Sequence, residues 1–134
     1  MMKKVKKLTI SKAKEAAWRV FSLFIRTRDS HNGIVTCFTC QFNFLIKETQ
    51  AGHFIQGRHN SVLFDERNVH AQCRGCNIFK SGNLIEYYPR MVEMYGGGVI
   101  EELKFLDTKH KQFKVYELIE IKEKYEKKLK DMIE

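Results

Sequence analysis

The stretch His70–Asn83, HAQCRGCNIFKSGN, decides how the chain is read. Cys73 and Cys76 stand two residues apart, which lets both sulfurs reach one metal ion. Asn77 follows directly, where many zinc knuckles carry a histidine. The matching pair lies upstream as Cys37-x2-Cys40, with 32 residues between Cys40 and Cys73. Four thiolates complete a tetrahedral zinc site with no open position, the mark of a structural centre. Zinc binding to such sites contributes roughly 10–16 kcal/mol in isolated peptides, comparable to the stability of a whole domain. A closed site cannot activate water. Any chemistry must come from side chains that the site positions. Redox use of the two pairs is the competing reading.

The whole chain supports an intracellular metal site. Its 134 residues suit one domain with extensions. MMKKVKKL has basic residues but no apolar run behind them, so a secretory signal is not expected. No stretch approaches the roughly 18 apolar residues of a membrane span. In the cytoplasm, cysteines in two CxxC pairs are metal ligands before they are disulfides. A net charge of +8 and a pI near 9.4 point to a polyanionic partner, nucleic acid before an anionic membrane surface.

Around the cysteines the pattern predicts short elements. Residues 1–10 form a basic arm. Ser11 caps a helix running to about Thr27, with Ala13, Ala17, Phe21 and Phe24 on its apolar face. Trp18 belongs with that core. Arg19, Arg26 and Arg28 serve as phosphate contacts or as a solvated face. Asp29–Gly33 is a turn, and a short strand leads into Cys37. A strand covers Ala51–Ile55, residues 58–67 are loop, and 68–73 form another strand. A helix starts near Cys76 and runs through Lys80. Pro89 opens a separate helix, and a short helix covers Val99–Asp107. From about Lys109 to Ile133 the chain is charged, with an apolar stripe of Val115, Leu118, Ile121, Tyr125, Leu129 and Met132. That stripe needs a partner: the body of the domain or a second copy of the chain, which would make a homodimer.

The order of chemistry-bearing residues is distinctive. His53 lies in one strand, Asn68 opens the next, and Asn77 begins the following helix. Over about residues 37–83 this resembles the HNH endonuclease motif, in its zinc-bearing branch. The resemblance implies an α+β fold, a ββα-metal core stapled by the four-cysteine zinc site, in a domain spanning 11–95 with its leading helix. A helical extension covers 99–134. It implies His53 as general base, Asn68 as the residue that fixes the loop and aims His53, and Asn77 as ligand of a catalytic Mg2+ or Mn2+. The chemistry is consistent: imidazole takes a proton from water near neutral pH, and a hard cation accepts an amide oxygen. Lys80, about one turn beyond Asn77, is expected at the phosphate. Many HNH enzymes place a metal-binding aspartate or histidine immediately before the base. Here that residue is Gly52, and His70 is the candidate replacement, ahead of His59 and Asp65. Arg58, Arg67, Arg74 and Lys80 are candidate DNA contacts.

Closer still, AGHFIQGR, FDERNVHAQCRGCN, SGNLIEYY and the upstream FIRTRD resemble the lambdoid phage NinG (Rap) recombination endonuclease family. That resemblance implies cleavage of branched DNA such as D-loops and Holliday junctions, in the cytoplasm of a bacterial host, alongside other recombination proteins. The alternatives are a general nicking or homing-type HNH nuclease, a non-catalytic zinc-stabilised nucleic-acid-binding module, and an adaptor built on the C-terminal helix. None involves a membrane.

Overall fold

A computed structural model describes residues 7–133, so most of the expected basic arm lies outside the described residues. Helix α1 (Ile10–Arg28) begins at Thr9, whose extended backbone and hydroxyl receive the Lys12 amide at 3.2 Å. The cap is therefore Thr9, and Ser11 lies inside the helix. Strands β1 (Ser30–His31) and β2 (Ile34–Thr36) form a hairpin across Asn32-Gly33. Both loop residues have positive φ, 52° and 79°, the geometry a two-residue hairpin loop requires. β3 (Asn43–Leu45) pairs antiparallel with β2, completing a sheet in the order β1-β2-β3.

A separate two-stranded sheet carries the residues singled out above. β4 (Thr49–His53) runs antiparallel to β5 (Val69–Cys73), with Gln50 opposite Gln72, Gly52 opposite His70, and His53 opposite Val69. The connection, expected to be loop throughout, contains the short helix α2 (Asn60–Leu63), which buries Val62 and Leu63. After β5 comes one π-type turn, Gly75–Phe79, closed by the Lys80 amide on the Gly75 carbonyl at 2.9 Å. Then follow α3 (Leu84–Tyr95), α4 (Gly98–Asp107) and α5 (Val115–Ile133). Pro89 lies inside α3 and does not split it. Proline costs a helix one hydrogen bond, here to the Ile85 carbonyl four residues earlier. Pro89 and Ile85 both face solvent, while burial of Tyr87 and Met91 holds the helix together.

Helix α1 is the centre of the packing. Phe21, Phe24 and Ile25 meet Ala51 of β4, Val69 of β5 and Tyr125 of α5. Ile121 and Leu129 of α5 pack against the same cluster. The apolar stripe of the C-terminal helix is thus used within one chain: of the two partners open to it, the body of the domain covers most of it. A second cluster joins Val62 to Tyr87 and Met91 of α3 and to Val99, Ile100 and Leu103 of α4.

The end of α1 is latched to β5. Arg28 Nη2 donates to the Val69 carbonyl and Nη1 to the Glu66 carbonyl, each at 2.9 Å. Its Nε meets Asp29 Oδ1 at 2.7 Å, and Asp29 Oδ2 accepts the Ala71 amide at 2.8 Å. Arg28 is therefore structural and not a phosphate contact. Replacing Asp29 leaves the Ala71 amide without its acceptor and a mostly buried guanidinium without its counter-charge. Asp29→Ala should lower unfolding free energy by about 2–3 kcal/mol, read from the midpoint of urea denaturation. An unchanged midpoint would show that the latch does not hold α1 to β5.

Candidate metal centre and active-site groove

The four cysteines converge from three segments. Cys37 and Cys40 sit in the knuckle after β2, Cys73 ends β5, and Cys76 lies in the π-type turn. Their sulfurs all lie within 4.8 Å of one another, and Cys40 Sγ is 3.8 Å from Cys73 Sγ. This cluster can hold a metal ion such as zinc. Among the described residues no second group of three or more His, Cys, Asp or Glu side chains is so arranged. Burial pushes the Cys37 thiol up, but hydrogen bonds from Thr39 and from the Cys40, Cys73 and Thr39 amides outweigh it and bring it down to about 6. Burial raises Cys40 to about 12, reinforced by the neighbouring Cys37. A second and third thiolate so close to the first are opposed by like-charge repulsion, which a divalent cation removes.

Beside the cluster runs a groove of about 450 Å³ lined by Trp18, Arg26, Gln50, His53, Arg58 and Asn77, among others. It follows the edge of β4 that has no strand partner, because consecutive residues Thr49, Gln50 and Ala51 all line it. Trp18 and Arg26 reach it from α1, and Asn77 from the π-type turn. His53 stacks on Trp18 with ring centroids 4.9 Å apart, and Arg58 lies over the same indole at 4.8 Å. His53 Nε2 lies 3.2 Å from the Leu63 carbonyl. A carbonyl only accepts, so in the neutral ring Nε2 carries the proton and Nδ1 keeps its lone pair. Burial lowers the His53 pKa below 6.5, with Arg58 acting in the same direction against the Leu63 hydrogen bond. Burial and the Arg58 guanidinium thus favour the neutral ring.

Asn68 is 0% exposed and clasps the connection that follows β4. Its Oδ1 accepts the Ile55 amide at 2.8 Å, and its Nδ2 contacts the Ile55 and Val62 carbonyls at 3.3 Å each. The clasp ties together the two ends of the segment 55–62, between His53 and the Leu63 carbonyl that it meets. Asn77 Nδ2 donates to Gln50 Oε1 at 2.7 Å, which turns Asn77 Oδ1 toward Gly52.

Other expected site residues are elsewhere. His70 is corrected from a metal-ligand candidate to a core residue, 1% exposed and stacked on Phe38 at 4.0 Å. Strand alternation is the reason: His70 pairs with Gly52, and so projects from the opposite face to His53, which pairs with Val69. Both its nitrogens are engaged. Tyr87 donates its hydroxyl to the Gly52 carbonyl at 2.7 Å, so His70 Nδ1 donates to Tyr87 at 3.1 Å and Nε2 accepts from Tyr95 at 2.7 Å. Burial, followed by Arg28, takes its pKa to about 3. Lys80 is exposed at the end of the π-type turn and does not line the groove. In that turn a spacing of three residues does not return to the same face as in an α-helix. Arg67 is committed to Asp65 and Glu102, at 3.2 and 2.5 Å. Arg74 is exposed outside the groove, against Phe79. His59 pairs with Asp107 at 2.7 Å. Of the four proposed DNA contacts, only Arg58 lines the groove.

Trp18 and Gln50 are groove residues that the sequence does not single out, whereas Arg26, expected as a phosphate contact or part of a solvated face, does line the groove. A tryptophan at helical spacing looks like core, and only tertiary packing sets it against His53. The basic doublet Arg26 and Arg28 was the available signal, but one member faces the groove and the other the latch.

The site thus defines an α+β protein with a metal-competent cysteine cluster beside a basic, histidine-bearing groove. The family described as "NinG: Bacteriophage Lambda NinG protein" matches residues 1–134, and the chain belongs to that family. It is 34% identical over 117 residues to Protein ninG of Escherichia phage 933W, covering 87% of this chain and 56% of that protein. Protein ninG of Salmonella phage P22 is also 34% identical, and that of Escherichia phage lambda 32%, each over 87% of this chain and 55% of the relative. The chain spans about half the length of the curated relatives it matches. No solved structure matches it.

Two outcomes are expected. Purified protein should carry about one zinc ion per chain by elemental analysis, and Cys76→Ser should lose it together with thermal stability. A metal-free protein with an unchanged melting temperature would contradict this. Separately, His70 should stay a neutral Nδ1–H tautomer well below the ordinary midpoint of 6.5, followed by imidazole 15N shifts. Titration near 6.5 would contradict the buried relay.

Proposed function

We propose that the chain is a zinc-stapled, divalent-cation-dependent DNA endonuclease of the HNH type. Its substrates are branched recombination intermediates such as D-loops and Holliday junctions. The observation that carries the reading is that His53 and Asn77 line one basic groove, with Asn68 clasping the segment beside His53. Membership of a family described as a bacteriophage protein supports a phage context, and the recombination substrates follow from the resemblance read in the sequence.

The roles follow from chemistry. His53 Nδ1 takes the proton of the attacking water, and the Leu63 carbonyl on Nε2 steadies the imidazolium that results. Trp18 holds the ring plane. Arg26 and Arg58 bind the phosphodiester and offset its charge. Asn77 Oδ1 suits a hard cation, Mg2+ or Mn2+, which keeps most of its waters and uses few protein ligands. When bound, that cation neutralises the phosphate and the leaving oxygen. The four-cysteine site remains structural.

Labelled Holliday junctions, D-loops, linear duplex and single strands, incubated with Mg2+ or Mn2+, should show cleavage concentrated on the branched substrates. His53→Ala should cut about 10²–10⁴-fold more slowly, and Asn77→Ala should also be impaired. Equal cutting by His53→Ala overturns the mechanism. Equal cutting of linear duplex supports a general nicking enzyme instead, and salt-sensitive binding without cleavage in either metal supports a binding module. Because burial and Arg58 lower the His53 pKa, its base form persists below pH 6.5, so the acid limb of kcat/KM should lie below that value. Arg58→Gln should move the limb upward, since it removes a cation that disfavours imidazolium.

A further inference from the structure

Gly52 stands where the resemblance to HNH enzymes leads one to expect a metal-binding side chain, and its surroundings are filled in a specific way. A β-carbon built on Gly52 would lie 1.8 Å from Gln72 Oε1 and 2.8 Å from Asn77 Oδ1. Two amide oxygens from different elements converge on the space that a side chain at this position would occupy. Gly52 has an ordinary backbone conformation, so its lack of a side chain answers to that crowding and not to a turn.

Gln72 is 0% exposed. Its Nε2 donates to the Gly82 carbonyl at 2.9 Å and to Thr39 Oγ1 at 3.1 Å. Because the Gly82 carbonyl can only accept, the nitrogen must face it and the oxygen must face Gly52. That oxygen is the one buried side-chain N or O atom among the described residues without a hydrogen-bond partner. A buried acceptor left unmatched is destabilising, which calls for an ion or a water. It stands beside Asn77 Oδ1, the expected ligand of the catalytic cation.

We propose that Gln72 Oε1 joins Asn77 Oδ1 as a protein ligand of the divalent cation, substituting from β5 for the side chain that residue 52 lacks. The proposal rests on the nuclease reading for its purpose, but not for its test. Gln50 and Gln72 hold the two ends of the arrangement. Gln50 orients Asn77 by accepting a hydrogen bond from its Nδ2, while Thr39 and Gly82 orient Gln72. Two neutral oxygens and retained waters suit Mg2+ or Mn2+ and do not suit a soft ion.

The experiment is Mn2+ titration of the zinc-loaded full chain by calorimetry. Gln72→Ala should weaken Mn2+ binding at least about tenfold with zinc content unchanged. The double variant Gly52→Asp with Gln72→Ala should restore it, since the carboxylate enters the space that Gln72 vacates. On the wild type, trace Mn2+ should broaden the side-chain amide signals of both Gln72 and Asn77 before others, which needs no variant to fold. No Mn2+ binding, wild-type affinity in Gln72→Ala, or broadening at Asn77 without Gln72 overturns the proposal. DNA cleavage by a protein whose Mn2+ affinity ignores Gln72 removes the ligand assignment alone. Gln72-dependent Mn2+ binding without cleavage removes the nuclease reading alone.

Discussion

Four sulfurs held within 4.8 Å of one another constrain everything near the groove. They join a knuckle after β2 to the end of β5 and the turn that follows. The Phe38 amide extends the tie by donating to the Ala71 carbonyl at 2.9 Å. Four thiols this close resist ionisation together, so a divalent cation stabilises the arrangement more than any hydrogen bond in it can. Cys76 is fixed by the cluster, and Asn77 is the next residue. The groove inherits its register from the cysteines.

The second constraint is the small size of the β4–β5 sheet. With only two strands, β4 keeps a free edge, and side chains from both sheet faces meet there. His53 comes from the face packed on α1. Gly52, Gln72 and His70 belong to the other face, where Tyr87 ties His70 to the Gly52 carbonyl. Helix α1 closes one side of the groove with Trp18 and Arg26, while its Arg28 and Asp29 bind β5. One helix therefore sets both the stability of the hairpin and the wall beside its histidine.

Much of this was legible in the sequence, and the failures have physical causes. Spacing alone brought Cys37, Cys40, Cys73 and Cys76 together, because two CxxC pairs leave little freedom. Apolar periodicity located α1 and α5 and left open which surface α5 would cover. The turn at Asp29–Gly33 and the strand after it are legible, but the two-residue strand β1 that makes them a hairpin and the helix at Asn60–Leu63 are too short to leave a pattern. His70 was misplaced because strand register decides its face, and register is a long-range property. Lys80 was misplaced because a π-type turn has no periodic signature. Gln72 drew no attention as a glutamine between an alanine and a cysteine. Only its oxygen, facing Gly52 without a partner, marks it.

The central claim is that one closed structural ion positions a separate, open cation site in the groove. Anomalous diffraction from crystals grown with zinc and soaked in Mn2+ tests it most directly. A zinc peak among the four cysteine sulfurs and a distinct Mn2+ peak beside Asn77 are expected. A single metal among the sulfurs with none at Asn77, or zinc absent from the cysteines in a folded chain, would contradict it.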